Sequence, residues 1–471
     1  MPSPRVTMSG EGLGKAGCCM KRYGVKSRRK PVAACALSAC LLIGALTILA
    51  PWHQSRADPL NPYNSFTDSG PVSPEEKAHR DQVRTELYER YSADYQMPMP
   101  FVSAASVSAL QRAIEKYEGL IQAGGWPAVG GDKVTLRQGD TAPEIAAIRQ
   151  HLMIEGDLPR EAGRNPTFDN EFLEGLARFQ IRNGLRVSGF VDSRTLAALN
   201  VSAPERLQQL RTNLTRVQGL MKINQAPRYV LVNVPAYMAQ GVTKGDLTFS
   251  SNVITGKPAR ATPAVSANIV EVNFYPTWSV PDIVAQQDLI PKIRKDPSYF
   301  AAEHFTVRAD WKAEPLNPET VDWNSPQVAS YKFRQEPGPF NALGVVRINM
   351  PNKYSVYMHD TPLKQLFSQS VRAFSSGCVR VEKVLDLVAW LLSDQKGWDL
   401  ARVEAQVEKG ERLDVKLSRP VPVHFVYLTA FANPNGMVQF RPDIYGRDAP
   451  EADQPDDQNA VIAQQRAAVT P

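Results

Sequence analysis

The spacing of apolar and polar positions divides the chain into zones. One unbroken apolar run, Val32 to Ala50, directly follows the basic cluster Lys26-Ser27-Arg28-Arg29-Lys30. Residues 79–125 carry apolar positions at helical intervals (Leu110, Ile114, Tyr117, Leu120, Ile121), and Gly124-Gly125-Trp126-Pro127 ends that pattern. Three further helices are predicted over 134–200. The first follows Gly139 and carries Ile145, Ile148 and Leu152; the second opens at Phe168-Asp169 and carries Phe172, Leu176 and Phe179; the third carries Thr195, Leu196 and Leu199. At Arg228 the pattern switches to short β-branched runs broken by Gly and Pro: 228–235, 247–254, 269–274, 345–350, 354–358 and 421–428. Residues 282–337 interrupt these strands with a helical stretch, 283–295, followed by irregular sequence containing Pro and Trp. A helix over Val384–Leu392 is also predicted.

The reading is a multidomain α+β protein. Its parts are an N-terminal tail and apolar segment (1–57), a Pro-rich linker (58–78), a helical scaffold (79–130), a three-helix unit (131–201), a connecting helix (202–227), a mainly β domain (228–445) with an insertion at 282–337, and a polar acidic tail (446–471) expected to be disordered.

Charge sharpens the picture at the N-terminus. Residues 1–30 hold eight Lys or Arg against one acid, Glu11, whereas the chain from Asp58 onward holds 45 basic and 47 acidic residues. Basic residues before an apolar run stay in the cytoplasm while the chain beyond crosses the membrane, so the segment predicts export. The run is long enough to serve as an inner-membrane anchor, and Ser55-Arg56-Ala57 offers a cleavage site; both outcomes stay open. The near-neutral body argues against a nucleic-acid binder. Four of the five cysteines, Cys18, Cys19, Cys35 and Cys40, precede Asp58, which leaves Cys378 alone in the exported part. A lone thiol in an oxidising compartment is either buried and inert or a nucleophile.

The sequence around that thiol is Arg372-Ala373-Phe374-Ser375-Ser376-Gly377-Cys378-Val379-Arg380-Val381, and Tyr357-Met358-His359-Asp360-Thr361-Pro362 lies upstream of it. An imidazole can take the proton of a thiol, and a glycine beside the thiol lets backbone N–H groups face a developing oxyanion. The ordinary pKa values of these two groups predict an ionisation in the activity profile between about pH 5 and 9. Spacing by itself leaves a buried cysteine and a satisfied core histidine as an equal alternative.

Two resemblances follow from the motifs. The run Phe179-Gln180, Gly184-Leu185 and Gly189-x-Val191-Asp192-x-x-Thr195-x-x-x-Leu199 resembles the peptidoglycan-binding domain type 1, though a helical spacer without ligand would read the same. His359-Asp360-Thr361-Pro362 and Ser375 to Val381 resemble the catalytic motif of the L,D-transpeptidases with a YkuD-type domain. Gly256-Lys257 with Thr262-Pro263, Pro276-x-Trp278-x-Val280-Pro281 and Gly338-Pro339-x-Asn341-Ala342-Leu343-Gly344 extend the match, most closely to the large periplasmic members. Smaller members have His where this chain has Ser376, so no role for that second histidine carries over.

The resemblance implies that Cys378 is the nucleophile and His359 the base, with the Asp360 carbonyl orienting the imidazole and the Gly377 and Cys378 N–H groups forming the oxyanion hole. Tyr357, Arg380, Ser375 and Ser376 are the implied substrate-binding residues, with loop capping an equal reading for the two serines. The implied partners are peptidoglycan stem peptides, a tetrapeptide donor and a diaminopimelate-containing acceptor, together with other cell-wall synthases. The membrane is contacted through the N-terminal segment alone, and no cofactor, metal or nucleic acid is implied. The insertion is expected to cap the substrate groove, with Tyr299, Trp311, Trp323 and Tyr331 either facing substrate or forming its own core.

Rival readings are an L,D-carboxypeptidase, an enzyme attaching or detaching proteins at the wall, and an inactive wall-binding protein. The intact Cys, Gly and His set argues against the last. A papain-like peptidase would have its cysteine before its histidine. A metal hydrolase would show paired His or Cys spacing, which the sequence lacks.

Overall fold

The computed structural model describes residues 73–130, 135–223 and 226–448. The predicted export segment, most of the linker and the tail beyond residue 448 lie outside the described residues. Among the described residues no helix is long and apolar enough to cross a membrane.

The first two helices, α1 (Pro74–Ser92) and α2 (Ala104–Gln122), do not form one scaffold. Leu87 and Tyr91 of α1 join the core of the three-helix unit, built from α3 (Pro143–Glu155), α4 (Asn170–Arg182) and α5 (Ser193–Leu199). That core contains the predicted Ile145, Ile148, Leu152, Phe172, Leu176 and Phe179. Asp169 and Asp192 cap α4 and α5 by accepting the N–H of Phe172 (2.9 Å) and Thr195 (2.7 Å), which satisfies donors a helix start leaves open. Leu110, Ala113 and Tyr117 of α2 instead pack with Leu210 and Val217 of α6 (Ala203–Ile223), against Leu231, Val426 and Leu428 of the β region.

The β region begins with β1 (Arg228–Asn233), β2 (Met238–Thr243), β3 (Asp246–Gly256) and β4 (Val265–Phe274). A segment with a three-stranded sheet of its own follows. It comprises β5 (Trp278–Ser279), a helical stretch from Asp282 to Lys295, α9 (Ser298–Ala302), β6 (Phe305–Arg308) and β7 (Lys332–Gln335). The helical stretch is α7 (Asp282–Val284), a π-helical turn (Ala285–Leu289) and α8 (Ile290–Lys295), with Pro291 in the first turn of α8. The segment has its own apolar cluster, centred on Ile293, Val307 and Phe333, and Tyr299, Trp323 and Tyr331 pack against it. Those three aromatics are therefore internal to the segment, while Trp311 meets the Arg334 guanidinium.

The chain then returns as β8 (Val346–Asn349), β9 (Met358–His359), β10 (Ala373–Ser375), β11 (Val379–Val381), α10 (Val384–Leu392), α11 (Leu400–Glu408), β12 (Leu413–Val426) and the hairpin β13 (Ala430–Ala432) and β14 (Val438–Phe440). Nine strands share one mixed sheet in the order β10-β3-β11-β9-β8-β4-β12-β1-β2, and β2 also pairs with β3. The sheet thus closes on itself through β3, whose first half pairs with β2 and whose second half pairs with β11 and β10. The core within it holds Val232, Val253, Val272, Ile348, Met358 and Val379, sealed by Leu387, Val388 and Leu391 of α10.

One predicted strand, 354–358, is reduced to its last residue. Asn352 Oδ1 accepts the Tyr354 N–H (3.0 Å), and Ser355 takes a positive φ of 55°. An Asn side chain that bonds its own backbone competes with strand pairing in this way.

Candidate active site

β9 lies between β8 and β11. It pairs with β11 in parallel, Val379 opposite Met358 and Arg380 opposite His359, and the Val379 N–H donates to the Tyr357 carbonyl at 3.0 Å. This register brings Cys378 beside Tyr357 although 21 residues separate them in the chain. Parallel neighbours require a crossover, and residues 360–378, which include β10, supply it.

His359 is 5 % exposed, and its Nδ1–H donates to the carbonyl of Asp360 at 2.5 Å. That bond fixes the tautomer and leaves Nε2 as the basic nitrogen. Burial and the nearby Arg380 guanidinium push the imidazole down to about 3. The Asp360 carboxylate is held from two sides. Oδ2 accepts the Val345 N–H (3.0 Å) and Oδ1 meets Lys364. Gly344, at φ 60°, sits so close that a Cβ there would fall 2.3 Å from Asp360 Oδ2, which ties the predicted Gly338–Gly344 motif to the histidine.

Cys378 is a free thiol, partly exposed, at the edge of the barrel core. Burial pushes it up to about 11, opposed by the Tyr357 N–H and hydroxyl within hydrogen-bond reach and by Arg380 and Arg347. The Tyr357 hydroxyl is also reached by the Trp278 side chain, its ring lies edge-on to the imidazole with centroids 5.6 Å apart, and the Arg347 guanidinium lies over it. The thiol's polar neighbours are therefore those of Tyr357, and no hydrogen bond joins it to the imidazole. Both groups are neutral near pH 7, a thiol and an imidazole rather than an ion pair.

These environments point away from an ionisation between pH 5 and 9. The pH profile of kcat/KM, which reports the free enzyme, should be flat over that range and fall only as the imidazole is protonated towards pH 3. Stability follows the same shifts with opposite limits. The depressed imidazole loses its contribution as pH falls from its ordinary 6.5 towards 3, and the raised thiol as pH rises from its ordinary 9 towards 11. A kinetic pKa near 6.5 in that profile would contradict this environment.

The loop before the thiol is braced internally. Ser375 is buried, donates its hydroxyl proton to the Cys378 carbonyl (2.5 Å) and accepts the Gly377 N–H (3.2 Å). Two expectations change as a result. Ser375 has no proton left to offer a substrate, and its hydroxyl is a loop brace. The Gly377 N–H is already committed, so among the described residues the loop amides left without an acceptor are those of Ser376 and Cys378, and of these the Cys378 N–H adjoins the thiol. Gly377 takes a φ of 117°, open only to glycine at low cost, and its carbonyl accepts from Thr262 Oγ1 at 2.9 Å. Thr262 Oγ1 also accepts the Gly256 N–H (2.8 Å), and the Tyr445 hydroxyl donates to the Gly256 carbonyl (2.5 Å).

Ser376 is partly exposed and its hydroxyl accepts from Arg260 at 2.7 Å. Arg380 is partly exposed, its Nε is buried without a partner, and burial holds its pKa down. It lies near enough to act on both Cys378 and His359. An unmatched guanidinium donor there suits a carboxylate ligand. Sequence reasoning missed Arg347, Arg260 and Tyr445. Arg347 stands opposite His359 in the β8–β9 register, and no local motif marks it. Among the described residues no three His, Cys, Asp or Glu side chains converge to hold a metal.

Comparison with known proteins supplies two family matches. Residues 227–421 match the YkuD family, described as "L,D-transpeptidase catalytic domain", and residues 141–199 match PG_binding_1, described as "Putative peptidoglycan binding domain". A curated Haemophilus influenzae protein named "Putative L,D-transpeptidase" is 34% identical over 242 residues, 51% of this chain and 48% of that protein. The chain thus spans about half the length of the curated relative it matches. Among solved structures, an L,D-transpeptidase from Mycobacterium smegmatis is similar over 43% of this chain and 59% of its own, at 13% identity and a TM-score of 0.22. A fragment of an L,D-transpeptidase from Xylanimonas cellulosilytica covers 63% of this chain and 98% of its own, at 12% identity and a TM-score of 0.18. Superpositions this loose carry no weight for fold or function. The family matches assign residues 227–421 to the YkuD family of L,D-transpeptidase catalytic domains and residues 141–199 to the PG_binding_1 family.

Proposed function

We propose that this protein is an exported peptidoglycan L,D-transpeptidase that works through a thioester on Cys378. The observation that carries the reading is the β9–β11 register. It sets the thiol beside the Tyr357-x-His359 strand, with Nδ1 of the imidazole committed to a carbonyl and Nε2 free.

The steps follow from these environments. A donor stem tetrapeptide places the carbonyl of its third residue against Sγ. As the bond from Sγ to carbon forms, Nε2 of His359 takes the thiol proton, because a thiol pushed up to about 11 supplies little thiolate on its own. The charge that develops on the carbonyl oxygen faces the Cys378 N–H. The imidazolium returns the proton to the departing amine, D-Ala leaves, and a thioester remains. An amine of a second stem, on a diaminopimelate side chain, attacks that thioester and loses its proton to His359; the carbon–sulfur bond breaks, and the imidazolium passes that proton to the departing sulfur, which restores the thiol. The product is a crosslink between third residues. Arg380, with Nε unmatched, binds a carboxylate of the stem. The PG_binding_1 domain holds the enzyme to its polymer, and the N-terminal segment delivers it to the periplasm.

Purified disaccharide-tetrapeptide separates this reading from its rivals. Incubation followed by mass spectrometry should give crosslinked dimers and free D-Ala. Tripeptide without dimer would identify a carboxypeptidase using water as acceptor, and unchanged substrate from a folded enzyme would overturn the proposal.

A further inference from the structure

Arg260 lies on the loop between β3 and β4 and is 4 % exposed. The reaction proposed above makes no use of it. Burying a guanidinium costs several kcal/mol unless its donors are matched, and here every N–H of the fork has a partner. Nε and Nη2 hold Gln287 Oε1 at 3.2 and 2.7 Å. Nη2 meets Asp288 Oδ1 at 3.0 Å, and Nη1 meets Asp288 Oδ2. The remaining donor on Nη1 reaches Ser376 Oγ at 2.7 Å.

The partners gathered on this guanidinium belong to different parts of the protein. Gln287 and Asp288 stand on the π-helical turn at the base of the segment between β4 and β8. Ser376 immediately precedes Gly377-Cys378. The other side-chain braces on the Cys378 loop, Ser375 and Thr262, come from the loop itself and the β3–β4 loop, and Tyr445 of the C-terminal stretch holds Gly256 and Thr262 behind them. Arg260 leads into the inserted segment. Bidentate carboxylate pairing fixes direction as well as distance, so a shift of the π-turn is passed to Ser376 as a rigid displacement.

We propose that Arg260 is a positioning residue through which the inserted segment sets the geometry of the Cys378 loop. Asp288 acts through it: substrate seated against the segment steadies the π-turn, the guanidinium holds Ser376, and the thiol and the Cys378 N–H stay in line with the carbonyl. The proposal rests on Cys378 being the nucleophile, and its test includes a readout that needs no substrate.

The test uses the full chain with Asp288→Ala, Arg260→Ala and the double variant. kcat and KM are measured with disaccharide-tetrapeptide, and alkylation of Cys378 by iodoacetamide is followed by mass spectrometry of its peptide. Each single change should lower kcat roughly tenfold with KM within about twofold, as expected when reacting atoms are displaced but the substrate is still held. The double variant should be no worse than Arg260→Ala, and the alkylation rates should show the same lack of additivity. Arg260→Lys should restore part of the rate. The Asp288 side chain is about one-third exposed, so its loss leaves the fold intact. Should Arg260→Ala not fold, Asp288→Ala crossed with Ser376→Ala tests the same chain of contacts. Additive losses, or an Asp288→Ala variant with parental kcat and parental alkylation, would overturn the coupling. If the parent turns over no substrate, the proposed function falls while the alkylation cycle still decides the coupling.

Discussion

Cys378→Ala is expected to leave no detectable crosslinked or trimmed product from a tetrapeptide substrate. The methyl group that remains cannot form a thioester, and the surrounding loop offers no replacement: the Ser375 hydroxyl is spent on the Cys378 carbonyl and that of Ser376 faces Arg260. The fold should survive. The thiol is partly exposed at the rim of the core, so its loss costs about 1 kcal/mol and lowers Tm by only a few degrees. The same substitution tests acylation. A carbapenem such as meropenem presents a strained amide with a carboxylate beside it, and it should add one drug mass to the parent enzyme. That mass should map to the peptide containing Ser376-Gly377-Cys378, which separates it from Cys18, Cys19, Cys35 and Cys40. An adduct that persists in Cys378→Ala, or none on a folded parent, would count against the assigned nucleophile.

His359→Ala should lower the rate about a hundredfold or more, the usual worth of a general base. A hundredfold corresponds to about 2.7 kcal/mol of barrier. The sharper expectation concerns pH. With the thiol pushed up to about 11, roughly one molecule in ten thousand carries a thiolate at pH 7. Without a base the reaction must draw on that fraction, so the residual rate should climb about tenfold per pH unit from 7 to 10. The parent should stay flat over pH 5–9. A residue that merely held the fold would lower the rate without changing its pH slope. A variant with parental rate, or one whose lower rate is flat with pH, would sink the base assignment.

The parts of the site legible in the sequence are those made by contiguous residues. His359, Asp360, Gly377 and Cys378 announce themselves by motif, and the Gly338–Gly344 motif proved to hold Asp360. The helix over Val384–Leu392 was also readable, because its apolar positions are local and periodic. Contacts across the fold were not readable. Arg260 gave no signal because its partners lie 27, 28 and 116 residues away. β2 escaped because Gln240 and Gly241 break its apolar pattern; Gln240 is fully buried, accepting the Phe101 N–H at 2.8 Å and donating to the Met99 carbonyl at 3.2 Å. The strand over 421–428 starts eight residues earlier than expected, at Leu413. Pro420 and Pro422 lie in or beside the bulge between Lys416 and Val421, and proline there hides a strand from propensity. The scaffold read over 79–130 divides because α1 is mostly polar and adds Leu87 and Tyr91 to the three-helix core, whereas α2 carries an apolar face that packs against α6 and the β region.

The closure of the nine-stranded sheet through β3 bears on how copies of this protein meet. A strand edge with free N–H and C=O groups is a template for another chain to pair with. Here the nine-stranded sheet ends in β10, three residues long and leading into the Cys378 loop. Copies brought side by side find no long edge of this sheet to extend, so self-association by strand addition is disfavoured at the domain that carries Cys378. Among the described residues, contact between copies there is left to helices, loops, the β13–β14 hairpin or the small sheet of the inserted segment.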